Sequence, residues 1–90
     1  MLTLEITGAF KRDFKRESNG AYSDVRQVLE TALDALTNGH TLPPANRDHA
    51  LKGKWIGYRN CHLKPDLILI YKKTKTTLAL ARLGSHSELF

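Results

Sequence analysis

Five polar residues in the second half of the sequence have side chains suited to proton-transfer chemistry, namely His49, His62, Asp66, Arg82 and His86. Imidazole titrates near neutral pH, so one histidine can act as a general base while another, protonated, acts as a general acid. A carboxylate and an arginine beside them would complete an acid–base site. The sequence predicts such a site if the residues converge in the fold.

Other interpretations of these residues stay open at this point. The histidines can be unconnected surface residues, and His40 is taken as one. Three histidines and an aspartate also suit zinc, although separations of 13 and 24 residues between the histidines match no familiar ligand spacing. The neighbours Cys61 and His62 face opposite ways in a strand, which argues against a Cys–His nucleophile pair and favours Cys61 as a small core residue.

The first half of the sequence predicts one strand and two helices. Apolar and polar residues alternate over residues 2–7, which indicates a half-buried strand. Phe10 and Phe14 are four residues apart among basic residues, as is typical of a short amphipathic helix. A longer helix is predicted with Ser23 as its N-cap and Gly39 at its C-terminus. Its apolar stripe consists of Tyr22, Val25, Leu29, Ala32, Leu33 and Leu36.

The second half predicts a loop and three strands. Two prolines in residues 40–54 indicate a segment that runs extended over the surface. Strands are expected at 55–62, 67–72 and 77–83, joined by tight turns into a meander. The last strand places Arg82 on the face of Leu78 and Leu80, as a surface charge or as the wall of a pocket. The fold class is therefore α+β, in the order β-α-α-β-β-β, with an antiparallel sheet and both helices on one face.

Composition limits the class of protein further. Ninety residues make a single domain, 1–90, and the sequence has neither a membrane-spanning apolar run nor a signal peptide. A lone cysteine excludes an internal disulfide and fits a reducing cytoplasm. Residues 1–45 carry a net charge of −1 and residues 46–90 one of +6. This asymmetry favours a polyanion or an acidic protein as partner, although it can also serve solubility alone.

Three blocks of the second half resemble a known family. The blocks "DHALKGKW", "YRNCHLKPDLILIY" and "RLGSHSELF" are similar to those of the YafQ branch of the RelE-type toxins from bacterial toxin–antitoxin pairs. The match covers residues 47–90, and the predicted element order is also that of the RelE/ParE superfamily. The resemblance implies a cytoplasmic endoribonuclease without cofactor or metal, which cuts messenger RNA on the ribosome. It also implies inhibition by a cognate acidic antitoxin, through which the complex binds operator DNA.

The resemblance assigns roles to individual residues. His49, His62 and His86 fall on the catalytic histidines of the family, with the order of acid and base left open. Its carboxylate falls on Asp66 and its arginine on Arg82. The ribose 2′-OH would attack the adjacent phosphate, and Arg82 would stabilise the growing charge. The remaining substrate contacts are expected from the terminal aromatic Phe90 and from Lys52, Lys54 and Lys64.

One residue departs from the family pattern, and two other functions remain possible. Members of this branch can carry Trp after the turn aspartate, where this sequence has Leu67, so one stacking surface is missing. A gyrase inhibitor of the ParE type would share the fold without nuclease chemistry, but the histidine set argues against it. A non-enzymatic RNA-binding or ribosome-binding module would need only the basic half.

Overall fold

The computed structural model describes residues 2–20 and 24–90, and it has the predicted α+β class. Strand, helix, helix and then the strand meander follow one another as expected. Tyr22 and its predicted cap Ser23 lie outside the described residues. In chain order the elements are β1 (Thr3–Ile6), α1 (Gly8–Ser18), α2 (Val25–Thr37), β2 (His49–Ala50), β3 (Arg59–Lys64), β4 (Leu67–Lys73), β5 (Thr77–Gly84) and α3 (His86–Leu89).

The five strands form one sheet in the order β1-β5-β4-β3-β2. Strands β3, β4 and β5 pair antiparallel in chain order, as the meander predicts. The short strand β2 was not predicted: it lies in the segment expected to be a loop and adds a further antiparallel pair to β3. The first strand instead pairs parallel to the last, with Thr3 opposite Thr77, so the sheet is mixed rather than wholly antiparallel. The sheet thus joins the two ends of the chain.

Helices α1 and α2 pack on one face of the sheet, as predicted. Leu67, Leu69 and Tyr71 of β4 are buried against this layer together with Phe10 and Leu29 of the helices. Helix α2 ends in a Schellman motif: the amide of Gly39, with φ of 76°, donates to Leu36, and the amide of His40 donates to Ala35. The left-handed backbone explains the glycine at this position.

The opposite face is covered by the chain's last residues and by the segment before β3. Leu89 is buried on Ile68 and Ile70, and Trp55 and Tyr58 pack beside them. The tail forms the helix α3, which the sequence analysis did not predict. Its capping box joins Ser85 and Glu88: the Ser85 hydroxyl accepts from the Glu88 amide, and the Glu88 carboxylate accepts from the Ser85 amide.

Two local predictions for the middle of the chain are wrong. The strand expected over 55–62 begins only at Arg59, because the backbone turns at Gly53 and Gly57, with φ of 67° and 92°. The proline segment is not simply extended either. Pro44 opens a 3-10 turn, where its missing N–H costs nothing.

The first strand is also more exposed than the alternation predicts. Leu4 and Ile6 are 40% and 45% exposed, because β1 forms the edge of the sheet and both side chains line an open cleft beside α1 and α2. None of the helices in the described part of the chain has the length and apolar composition needed to span a bilayer.

Candidate active site

The three predicted catalytic histidines line one cleft on the α3 face of the sheet. His49, His62 and His86 share it with Phe90, in a volume of about 420 Å³. Its other lining residues are Arg47, Leu51, Asn60 and Ile68. Residues that are 37 positions apart in the sequence therefore meet in one place.

The strand register explains why these residues meet. His49 of β2 lies opposite Asn60 of β3, and His62 is two residues further along the same strand. His62 lies opposite Ile68, and Ile68 lies opposite the last residue of β5. Side chains of directly opposed residues lie on the same face, so the row leads from His62 across the sheet to the start of α3.

The imidazoles of His49 and His62 are held by backbone carbonyls. Nδ1 of His49 lies 2.7 Å from the carbonyl oxygen of Arg47, and Nδ1 of His62 lies 3.2 Å from that of Pro65. A carbonyl can only accept, so each Nδ1 carries a proton and donates it. In the neutral rings Nε2 is then the nitrogen with a free lone pair, which is the form that a general base requires.

A further contact fixes the chain next to His49. The Asp48 carboxylate accepts hydrogen bonds from the Tyr71 hydroxyl at 2.6 Å and from Arg59 Nε at 3.1 Å. Burial, reinforced by the Asp48 charge, raises the pKa of Tyr71 well above its ordinary value. Tyr71 therefore remains a neutral donor and anchors the two-residue strand that carries His49.

The tail residues are positioned by Asp66 and by each other. The amide of His86 donates to Asp66 Oδ1 at 3.1 Å, so the carboxylate contacts the backbone of His86 rather than its ring. The rings of His86 and Phe90 lie side by side, with centroids 5.1 Å apart. Phe90 is 48% exposed and presents its ring to solvent at the cleft.

The predicted face of Arg82 is wrong. A β-bulge in β5 sets Tyr71 opposite Leu80 but Ile70 opposite Arg82. The one-residue shift moves Arg82 away from the Leu78 and Leu80 face. Its row contains Asn60 and His49, but three strand spacings of about 4.8 Å separate β5 from β2, a backbone distance of roughly 14 Å.

The Arg82 guanidinium is bound to an aspartate of α1. Nε donates to Asp13 Oδ2 at 2.6 Å and Nη2 donates to Oδ1 at 3.2 Å. Asp13 is buried and also accepts from Arg16 and from the Leu83 amide. Burial acts to raise the pKa of Asp13, but the hydrogen bonds from Arg82 and Leu83 outweigh it, and the pKa lies below its usual value. The cluster ties α1 to the end of β5, and Arg82 does not line the histidine cleft.

The three lysines predicted to bind substrate occupy different surroundings. Lys52 and Lys54 are exposed, after β2 and in the turn Gly53–Trp55. Lys64 lines a second cleft, of about 500 Å³, which adjoins the first through His62 and Arg47. Its ammonium group donates to Asp24 at 2.8 Å.

Two residues of the cleft were missed by the sequence analysis. Arg47 directly precedes "DHALKGKW", but as one basic residue among many it gave no signal. Asn60 is buried, and its Oδ1 has no hydrogen-bond partner among the described residues. Its signal in the sequence was a polar residue two positions before His62, and therefore on the same face of the strand.

Cys61 lies on the opposite face and takes no part in the cleft. Its side chain is fully buried in the helix layer, as predicted. Burial, with a smaller effect of the Asp48 charge, raises the pKa of the thiol to about 12. Across residues 2–20 and 24–90, no three His, Cys, Asp or Glu side chains are grouped in a way that could hold a metal ion.

Comparisons with known proteins agree with this fold and identify the family. The family described as "Bacterial toxin of type II toxin-antitoxin system, YafQ" matches residues 2–90. The mRNA interferase toxin YafQ of Escherichia coli K12 is 36% identical over 87 residues, which cover 97% of this chain and 94% of the relative. A copper-bound mutant toxin from Helicobacter pylori superposes with a TM-score of 0.87 at 42% identity, with both chains covered fully. The E. coli DinJ–YafQ complex contains a chain with a TM-score of 0.85 at 34% identity, covering 100% of this chain and 99% of that one.

The family match, together with the fold, thus identifies a toxin of the RelE superfamily. Within that superfamily, the chain belongs to the YafQ family of type II toxin–antitoxin systems.

Proposed function

We propose that this toxin cuts messenger RNA at the histidine cleft, by attack of the ribose 2′-OH on the adjacent phosphate. As a YafQ-family member it is an mRNA interferase, that is, an endoribonuclease. The convergence of His49, His62 and His86 on one cleft carries the proposal. This set disfavours the gyrase-inhibitor and simple RNA-binding alternatives, because neither requires acid–base groups.

The reaction requires two proton transfers and one displacement. His49 Nε2 takes the proton of the 2′-OH while the oxygen attacks phosphorus, since Nδ1 of this ring is already donating to a carbonyl. The bond from phosphorus to the 5′-oxygen breaks, and His86 supplies a proton to that oxygen. The products are a 2′,3′-cyclic phosphate and a 5′-hydroxyl. His62 contacts the phosphate, and Phe90 stacks on a base.

The other predicted residues support these steps. Asp66 positions His86 through its amide. Lys52, Lys54 and Lys64 attract the RNA backbone, chiefly through long-range charge. Arg82 is bound to Asp13 and does not line the cleft, so its predicted contact with the phosphate would need this ion pair to open. Residues 1–90 act as one domain, in the cytoplasm, on mRNA bound to the ribosome.

A substrate with one deoxyribose 5′ of the cut tests the chemistry directly. We expect no cleavage at that bond while binding falls only slightly, because the phosphates remain. Cleavage of the unmodified RNA should persist in EDTA and yield 5′-hydroxyl ends. The same cleavage assay should also be run with added copper, because the similar toxin from Helicobacter pylori binds copper in its mutant form. A 5′-phosphate product, or activity that returns only with added metal, would contradict the proposal.

The partner is proposed to be a cognate acidic antitoxin, as in the E. coli complex. Support comes from the +6 charge of residues 46–90, which needs an acidic counter-surface. The antitoxin covers the cleft sterically, and its complex with the toxin binds operator DNA through the antitoxin. Cleavage by the purified complex should be at least about a hundredfold slower than by free toxin. Equal rates would contradict steric inhibition.

A further inference from the structure

We propose that Arg47, rather than Arg82, supplies the cation that contacts the scissile phosphate. This assignment rests on the proposed cleavage at the histidine cleft. Arg47 lines that cleft together with His49, His62 and His86. It also lines the adjoining cleft beside Lys64, so it stands where the RNA backbone would pass between the two.

The two arginines differ in the state of their guanidinium groups. Arg82 is engaged by Asp13 through two hydrogen bonds, of 2.6 and 3.2 Å. The Arg47 side chain has no ion pair or hydrogen bond with any residue that the structure describes. Its neighbour Asp48 is bound on the other side by Tyr71 and Arg59. An uncommitted arginine can offer both arms of its fork to a phosphate.

The backbone at Arg47 is also unusual. With φ of 48° it has the left-handed conformation, alone among the described non-glycine residues. Such strain persists where the surroundings hold it, and it occurs often at functional sites. Here the Arg47 amide donates to Pro44, and the Asn46 side chain donates to the His62 carbonyl at 2.7 Å. The same conformation directs the Arg47 carbonyl onto Nδ1 of His49.

Arg47 therefore acts on the proposed general base through its backbone and on the phosphate through its side chain. The Arg47 carbonyl fixes the tautomer of His49, and its side chain lies at the same cleft. A phosphate held by Arg47 is then near the nitrogen that accepts the 2′ proton. Arg82 is left as a positioning residue that anchors the strand leading into α3.

Four variants test the assignment in single-turnover cleavage. Arg47→Gln should lower the rate about a hundredfold, the usual effect of removing one donor to a developing charge. Arg47→Lys should recover part of this loss, because it restores the charge without the fork. Arg12→Gln, an exposed arginine of α1, is the matched control for loss of one charge and should change the rate less than threefold. Arg82→Gln should lower the rate less than Arg47→Gln does.

Arg47→Gly separates chemistry from folding. Glycine adopts φ of 48° without strain, so this variant should keep or raise the thermal midpoint while losing the same activity as Arg47→Gln. An Arg47→Gly protein that cleaves at the normal rate would overturn the proposal. The proposal would also be overturned if Arg82→Gln lowered the cleavage rate more than Arg47→Gln does while its thermal midpoint stayed unchanged.

A binding measurement keeps the proposal separate from the proposed cleavage. The probe is a short RNA with deoxyribose 5′ of the cut, which cannot react by 2′-OH attack. Loss of one phosphate contact should reduce the slope of log K against log salt by about 0.7 for Arg47→Gln and leave it unchanged for Arg12→Gln. Equal slopes would reject the Arg47 contact. If the slopes differ but the wild-type toxin cleaves no unmodified RNA, the contact stands and the cleavage proposal fails.

Discussion

Asp66 holds His86 through the main chain: its Oδ1 lies 3.1 Å from the His86 amide nitrogen, which donates the hydrogen bond. An asparagine in place of Asp66 keeps an acceptor oxygen, whereas alanine does not. We therefore expect Asp66→Asn to cleave RNA at nearly the normal rate and Asp66→Ala to lose about tenfold, the effect of one hydrogen bond. Equal losses in the two variants, with a shifted pH–rate profile, would show that the carboxylate acts on an imidazole by its charge.

His86 should be needed for cleavage but not for folding. Its side chain is exposed, and only its backbone is fixed by a neighbouring element. His86→Ala should lose at least about a hundredfold in cleavage rate, which is typical for one acid–base group. Its thermal midpoint should stay close to that of the wild type. Full activity would remove His86 from the mechanism.

Leu89 provides the complementary case, because it anchors the tail without any chemistry of its own. It is 6% exposed and packs on Ile68 and Ile70. Leu89→Ala should cost about 3 kcal/mol of stability by leaving a cavity, and it should also reduce cleavage because α3 is no longer clamped. Leu89→Met nearly preserves the volume and is the control. Unfolding in urea measures the loss of stability, and cleavage kinetics measured separately give the loss of activity.

Cys61 should be inert in the folded protein. Burial raises its thiol pKa to about 12, so almost no thiolate exists at neutral pH. A chromogenic disulfide reagent at pH 8 should label Cys61 only after unfolding in denaturant. The Cys61→Ala variant should cleave RNA at the normal rate. Fast labelling of the native protein would contradict this burial.

The pH dependence of stability should report on Asp13. The fold lowers the pKa of Asp13 from its ordinary value of 3.8. The ionised carboxylate therefore stabilises the fold fully above pH 3.8, and this stabilisation is lost as the pH falls through the lowered pKa. At pH 7, Asp13→Asn should lower the free energy of unfolding by about 2 kcal/mol. The partial exposure of Arg16 and Arg82 to solvent keeps this loss small. Urea unfolding should show the difference from wild type shrinking below pH 3.8. A difference that stays constant with pH would exclude the charge as its source.

Much of the fold followed from the sequence because it depends on local patterns. Alternating and helical apolar spacing located β1, α1 and the apolar rows of β4 and β5, and Gly39 marked the end of α2. The histidine motifs identified residues that do line one cleft. Each apolar pattern and each histidine motif spans only a few residues, so each can be recognised without knowledge of tertiary contacts.

The predictions that were wrong depended on contacts between distant segments. The face of Arg82 changed because a bulge inserts one residue opposite β4, which no alternation rule detects. The pairing of Arg82 with Asp13 joins positions 69 residues apart. Arg47 was missed because its proposed role depends on a loop conformation and on a side chain that pairs with no carboxylate among the described residues. The parallel pairing of β1 could not be predicted either, because it depends on contact with β5, more than 70 residues further along the chain.

The pairing of the first strand with the last determines when this toxin can fold during its synthesis. Thr3 lies opposite Thr77, and the cleft needs His86 and Phe90, so neither the sheet nor the cleft is complete until residues 77–90 have been added. Contacts of such long sequence separation form slowly and late. A nascent chain that lacks these residues therefore has neither β5 nor the full cleft.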